Sequence, residues 1–178
     1  MKKVFPLILA ALLLFGCAEQ KSTSAQELQD SVQTYNRLLS EGYRSLNMTP
    51  LARIATPQRT TKAYHHMAAL GEGRIRMDTL LDEITFLDSK ILADNQNKAE
   101  IRTREQWTCN FYNIDTNEKV SDNIITYENV YHLVLEAGRW LVDDISIRKW
   151  SETNKKGGLS FFERPADQPK GKAPVKSK

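Results

Sequence analysis

The sequence predicts an α+β domain, with N-terminal helices packed on a curved antiparallel sheet of about four long strands. Three observations predict it. Leu28, Val32, Tyr35, Leu38, Leu39, Tyr43 and Leu46 recur at helical spacing and make one apolar stripe. From Leu80 onward the period changes, and four long runs rich in Ile, Val, Thr, Tyr, Phe and Trp follow. The segments between those runs are short and turn-like, which implies antiparallel neighbours, and helices followed by a meander of strands make an α+β layer pair.

The chain opens with a different kind of segment. Met1-Lys2-Lys3 is a short cationic start, and Val4 to Phe15 is apolar apart from Pro6. That is the order of a secretory signal. A helix that crosses a bilayer needs about 20 apolar residues, because it rises about 1.5 Å per residue through about 30 Å of hydrocarbon. The run is shorter than that. Leu14-Phe15-Gly16-Cys17 closes it and resembles the lipobox of bacterial lipoproteins, although Phe15 stands where a small residue is more usual.

The resemblance implies that residues 1–16 are removed and that the Cys17 thiol carries diacylglycerol, with a further acyl chain, such as palmitate, on the new N-terminus. One chain binds a membrane marginally and two or more anchor stably. Ala18 stands where Asp would hold a lipoprotein at the inner membrane in enterobacterial relatives. The expected location is therefore the cell envelope, lipid-anchored at the outer membrane and facing the periplasm.

The remaining length fits one domain with tails. Residues 17–23 read as a polar tether and residues 24–154 as the domain. Ser24 with Glu27 predicts a capping box that opens the first helix, which the stripe carries to about residue 46. Thr49-Pro50 and Thr56-Pro57 each set a capping hydroxyl before a proline. A short turn over 50–55 and a second helix from 57 to about 70, stopped by Gly71 and Gly73, are expected.

The strands are expected at Leu80 to Leu92, Ala99 to Tyr112, Ile124 to Ala137 and Arg139 to Trp150. Their connections are Asp94-Asn95-Gln96-Asn97, Asn113 to Asn123, and Gly138 alone. This order over about residues 25–150, with the closing segment Val130 to Asp144 and its Gly138-Arg139-Trp140 turn, resembles the nuclear transport factor 2-like superfamily. The resemblance implies a cone-shaped sheet. Members include enzymes such as ketosteroid isomerase and many non-catalytic binding and assembly domains, so it implies no single function.

Charge is unevenly spread. Residues 155–178 hold seven basic and two acidic residues, a net +5. Lys2 and Lys3 add +2, so a whole-chain charge of +3 leaves −4 on residues 18–154. The tail is rich in Pro and Lys and too polar to fold alone. Leu159-Ser160-Phe161-Phe162 within it is a candidate for docking on the domain, and the lysines for contact with cell wall or anionic lipid.

Candidate chemistry is sparse. Acylation consumes Cys17, so no disulfide is expected, and Cys109 reads as a small buried hydrophobe. Ala99, Ile101, Thr103, Glu105, Trp107, Cys109 and Phe111 share one face of the second strand. Glu105 is the one carboxyl group in that apolar row and the only candidate acid or base. The bland alternatives are that it pairs with an Arg or Tyr, lies at the rim, or points outward where a bulge shifts the alternation.

His65-His66 has no Asp, Glu or Cys at ligand spacing, so no metal is expected. His132 reads as half-buried and structural. Asp143 and Asp144 are adjacent and point to opposite faces, so a bulge would be needed to pair them. Tyr127, Tyr131, Trp107, Trp140 and Trp150 suit either a pocket lining or helix packing. No phosphate loop, nucleophile elbow or Cys/His cluster occurs, and no cofactor is expected.

Three functions follow as expectations. The first is a membrane-anchored, non-enzymatic binding or assembly module of the envelope, with a protein partner or a small ligand and room for a homodimer, but no nucleic acid. The second is a small-molecule-binding or isomerase/lyase-type cone that uses Glu105. The third is a structural lipoprotein whose basic tail touches the cell wall or anionic lipid.

Overall fold

A computed structural model describes residues 20–156, with side chains from residue 25 to residue 153. The export segment 1–16, Cys17 and the lysine tail with Leu159 to Phe162 lie outside the described residues. The elements run α1 (Gln20–Ser45), a 3-10 turn (Thr49–Arg53), α2 (Pro57–Glu72), β1 (Ile75–Leu92), β2 (Asn95–Asn113), β3 (Lys119–Glu136) and β4 (Arg139–Lys156). The strands form one open antiparallel sheet in the order β1-β2-β3-β4, curved around the helices, so the α+β expectation holds.

The apolar stripe of α1 does what its spacing demands. Leu28, Val32, Tyr35, Leu38 and Tyr43 are all buried in one core with Met67 and Leu70 of α2 and the inward residues of the sheet. The start of the helix differs from the expectation. It begins at Gln20, so Ser24 lies inside it rather than capping it, and the tether expected over 17–23 is shortened. Adding a turn to a nucleated helix costs little, and Gln and Lys are good helix formers.

At the other end Leu46 takes a left-handed φ of 54°, and the Asn47 N–H bonds the Gly42 carbonyl at 3.0 Å. Gly42 makes room there, because a Cβ would stand 2.5 Å from Met48 Sδ and 3.2 Å from the Asn47 carbonyl oxygen, so the buried Met48 side chain would have to move. The 3-10 turn is capped differently from the expectation as well. Met48, not Thr49, is its N-cap, and Asn47 Oδ1 accepts the Thr49 N–H at 3.0 Å, which leaves the Thr49 hydroxyl no capping role.

Thr56 does cap α2, accepting the Arg59 N–H at 3.4 Å, with Pro57 in the first turn. The chain just before it also pairs with the sheet edge. Thr56 N–H donates to the Val142 carbonyl and Val142 N–H to the Ile54 carbonyl, so part of the otherwise open β4 edge is covered. Gly73 ends α2 as expected, and Arg74, at φ 57°, turns the chain into β1.

All four strands are longer than expected, at 18 or 19 residues. Straight strands of that length would reach roughly 60 Å. Register shifts between Leu81 and Glu83, Phe86 and Asp88, Glu128 and Asn129, and His132 and Leu133 break the ladders, and shifts of this kind bend a sheet. Arg44 bonds Asp78 and Ser40 bonds Thr79, while Asn36 meets Tyr131 farther along, so α1 runs antiparallel to β1.

That direction sets the ends of the domain. The start of α1 lies toward the two hairpins at 93–94 and 137–138. The 114–118 connection and the end of β4 lie at the opposite end.

The β3–β4 hairpin shows one imperfect fit. Ala137 and Gly138 both have positive φ, 48° and 74°, which is the backbone of the tight hairpin turn that suits twisted strands. Gly138 adopts it freely and Ala137 does not. Ala137→Asn is therefore expected to raise stability by about 0.5–1 kcal/mol. A urea midpoint that moves upward at constant slope checks it.

Candidate functional site

The alternation read for β2 is realised without interruption. Ala99, Ile101, Thr103, Glu105, Trp107, Cys109 and Phe111 are all buried, and Glu105 is 1% exposed beneath α1. No Lys, Arg or His hydrogen-bonds to it among the described residues. Four donors converge on it instead. Oε1 accepts from the Thr103 hydroxyl at 2.7 Å and the Tyr131 hydroxyl at 2.8 Å. Oε2 accepts from Trp107 Nε1 at 2.9 Å and Asn129 Nδ2 at 3.2 Å.

The local reason is the pleat. Thr103 and Trp107 flank Glu105 on its own face, two residues away on each side, while Asn129 and Tyr131 lie on the same face of the neighbouring strand. The Tyr131 hydroxyl also lies 3.0 Å from Asn36 Oδ1 of α1. One hydroxyl carries one proton, so it cannot serve both acceptors. Turning the Asn36 amide over resolves the conflict: Nδ2, which otherwise has no partner, then donates to Tyr131, and Tyr131 donates to Glu105.

Tyr35 packs edge-on to Tyr131 at 6.2 Å and accepts from Arg59 Nε at 2.6 Å. Burial holds the Tyr131 hydroxyl well above its ordinary value, and the neighbouring Glu105 pushes the same way.

Such an arrangement fixes a carboxyl group; it does not offer one to a substrate. Both Glu105 oxygens accept two hydrogen bonds each, and the residue lines neither the groove at Val130 nor the cavity at Met48 and Met67. The aromatic residues follow the packing alternative. Trp107, Tyr127, Tyr131 and Trp140 are buried in the core and Trp150 packs against it.

The remaining sequence candidates are used structurally. Cys109 is free and buried, and burial pushes its thiol up to about 12, with Glu152 and Asp82 adding to the effect. His65 is exposed, whereas His66 Nδ1 lies 2.6 Å from the Tyr43 hydroxyl and ties α2 to α1. His132 Nε2 lies 3.0 Å from Ser146 Oγ.

Asp143 is the extra residue of a bulge, because Asp144 pairs with His132 and Val142 with Leu133. The bulge lets both carboxylates serve α2: Asp143 accepts from Thr56 Oγ1 at 3.0 Å and Asp144 from Lys62 Nζ at 3.0 Å. Partial burial is the largest influence on Asp144 and opposes its ionisation, but the bonds from Lys62 and the Ile145 backbone, with the charges of Lys62 and Arg59, together outweigh it and hold the carboxyl below its usual value. Among the described residues no group of three or more His, Cys, Asp or Glu is placed to hold a metal ion.

The opposite face of the sheet carries no helix among the described residues and was not singled out in the sequence. It holds an open groove of about 400 Å³ that crosses all four strands, with Val130 at its floor. Lys90 pairs with Glu100 at 2.9 Å, while Arg104 and Lys149 both pair with Glu128, at 2.9 and 3.3 Å. These cations hold the Glu128 and Glu100 carboxyls below their usual values. Arg102 and Arg148, also in the lining, have no hydrogen bond to a carboxylate.

No protein-family model matches the chain, and no curated protein sequence matches it. Among solved structures, the intermembrane space region of the chloroplast protein ARC6 superposes with a TM-score of 0.60 at 12% identity. The match covers 69% of this chain and 95% of that one. At that identity the likeness shows a shared fold and nothing more. No described helix is long and apolar enough to cross a membrane.

Proposed function

We propose that the protein is a non-enzymatic lipoprotein of the bacterial envelope, anchored through Cys17, whose nuclear transport factor 2-like domain is a binding or assembly module. The observation that carries the non-enzymatic part is the saturated Glu105 cluster. The one carboxyl group in the apolar row is held by four donors and packed under α1, and it lines neither the groove at Val130 nor the cavity at Met48 and Met67. An isomerase or lyase working through Glu105 would need an open space within hydrogen-bond reach of that carboxyl.

The direction of the chain supports the anchored part. α1 begins three residues after Cys17 and starts toward the hairpin end of the domain, and β4 delivers the +5 tail at the opposite end. A bilayer would then lie on the hairpin side, with the sheet extending from it into the periplasm.

Lipidation is tested by growing a bacterial host with a clickable palmitate analogue. The wild-type chain is expected to take the label and to sediment with outer-membrane density. Cys17→Ser is expected to lose the label and leave the membrane fraction. Label retained on Cys17→Ser, or an unlabelled wild type, refutes the anchor.

A further inference from the structure

We propose that the groove on the helix-free face of the sheet binds an acidic peptide segment of a protein partner, with Arg102 and Arg148 each taking one carboxylate. This deepens the binding-module reading and rests on it for the partner's location only. Of the four cations that line the groove, Lys90 and Lys149 are already paired with Glu100 and Glu128. Neither Arg102 nor Arg148 makes a hydrogen bond to a carboxylate among the described residues, although Asp88 stands opposite Arg102 in the ladder and Arg148 lies near enough to help hold the Glu100 carboxyl down, and guanidinium is the side chain best shaped for two-point recognition of carboxylate.

Their placement is built into the sheet. Arg102 of β2 stands opposite Val130 of β3, which stands opposite Ser146 of β4. The ladder then shifts, with Asn129 paired to Ile147 and Glu128 to Lys149, so Arg148 is the extra residue of a bulge. The bulge brings Arg148 and Lys149 together into the lining. Strands lie about 4.8 Å apart, which puts β2 and β4 about 10 Å apart, with Val130 as a low apolar floor between them. Carboxylates two residues apart share one face of an extended chain and are separated by roughly 7 Å, a difference from that span that the long, flexible Glu and Arg side chains can bridge.

Three features favour a peptide over a small anion. The groove is open along the sheet, so it does not enclose a ligand as small-molecule sites do. Asp88, Glu100 and Glu128 alternate with the cations, which disfavours a dense polyanion such as a lipid headgroup surface and suits separate carboxylates on a chain that also offers N–H donors. Lys90 and Lys149 are held by carboxylates of this chain, which directs an incoming carboxylate to the two arginines.

The test is fluorescence anisotropy on the full chain in a non-ionic detergent, with a labelled, end-blocked Ser-Glu-Ser-Glu-Ser peptide at low salt. Saturable binding is expected. It should weaken at least roughly ten-fold in Arg102→Ala and in Arg148→Ala, remain in Arg37→Ala on the far side of the molecule, and be absent for Ser-Gln-Ser-Gln-Ser. Amide shifts at Arg102, Val130 and Arg148 would place the peptide in the groove. Equal binding of the Gln peptide, equal loss in Arg37→Ala, or binding of inorganic phosphate or anionic vesicles in preference to the Glu peptide would overturn the proposal. Because the readout needs no lipid on Cys17, its failure leaves the anchor untouched, and failure of palmitate labelling leaves the groove untouched.

Discussion

Glu105→Leu is expected to destabilise the domain by about 3–5 kcal/mol, a large part of the 5–15 kcal/mol that holds a typical domain folded. Leucine fills much of the same volume, so the loss would come from the donors. The Thr103 and Tyr131 hydroxyls can turn, and the Asn36 amide beside Tyr131 can turn over to present its Oδ1 once Glu105 no longer takes the Tyr131 proton. Trp107 Nε1 and Asn129 Nδ2 cannot turn, and each would stay buried without an acceptor at a cost of about 1–3 kcal/mol.

Glu105→Gln should be much milder. Its amide can face the two hydroxyls, which then accept, while its oxygen faces Trp107 and Asn129. Chemical denaturation of the three proteins checks this order. Combining Glu105→Leu with Trp107→Phe and Asn129→Leu should recover part of the loss, because removing donor and acceptor together leaves less unpaired. A Gln variant as unstable as the Leu variant would mean that the cluster does not hold the carboxyl in the way described.

Much of this cluster was legible in one strand. Strict alternation from Ala99 to Phe111 placed Glu105 in the buried row, because the pleat leaves no other choice while the ladder is regular. Its partners were less legible. Thr103 and Trp107 are visible as same-face neighbours, but Asn129 needs the β2–β3 register, and Asn36 meets Tyr131 across 95 residues of chain. Register depends on where the 114–118 loop closes, and the sequence bracketed that loop only between 113 and 123.

Bulges account for most of the rest. Asp143 and Asp144 should face apart in a regular strand, and an extra residue at Asp143 turns both toward α2. The same kind of insertion at Arg148 builds the charged groove, which in sequence is scattered over four strands and looks like an ordinary solvated face. Helix ends failed for another reason. Ser24 has the chemistry of a cap, but a capping residue marks one available start, and a helix can begin a turn earlier when the preceding residues favour it.

Cys109 gives the domain an alkaline weakness that can be measured. Its thiol lies at about 12 in the folded chain against 9.0 when exposed. Below pH 9 both states hold the proton, and the buried thiol makes its full contribution. Between 9 and 12 the unfolded chain releases the proton and the folded one keeps it, so stability falls as pH rises, by about 1.4 kcal/mol per unit and about 4 kcal/mol in all. The buried Tyr127, held higher still by burial first and then by Cys109, adds its own loss from about pH 10 upward, where an unfolded tyrosine ionises. Urea midpoints taken every half unit from pH 8 to 11 should therefore hold level to about pH 9 and then fall in two stages. Cys109→Ala is expected to flatten the decline between 9 and 10 and to make the decline above 10 shallower by about 1.4 kcal/mol per unit, leaving the tyrosine's share. If the decline between 9 and 10 were the same in Cys109→Ala, the thiol would not be its source, and Cys109 would have to be far more open to solvent than the 1% exposure seen here.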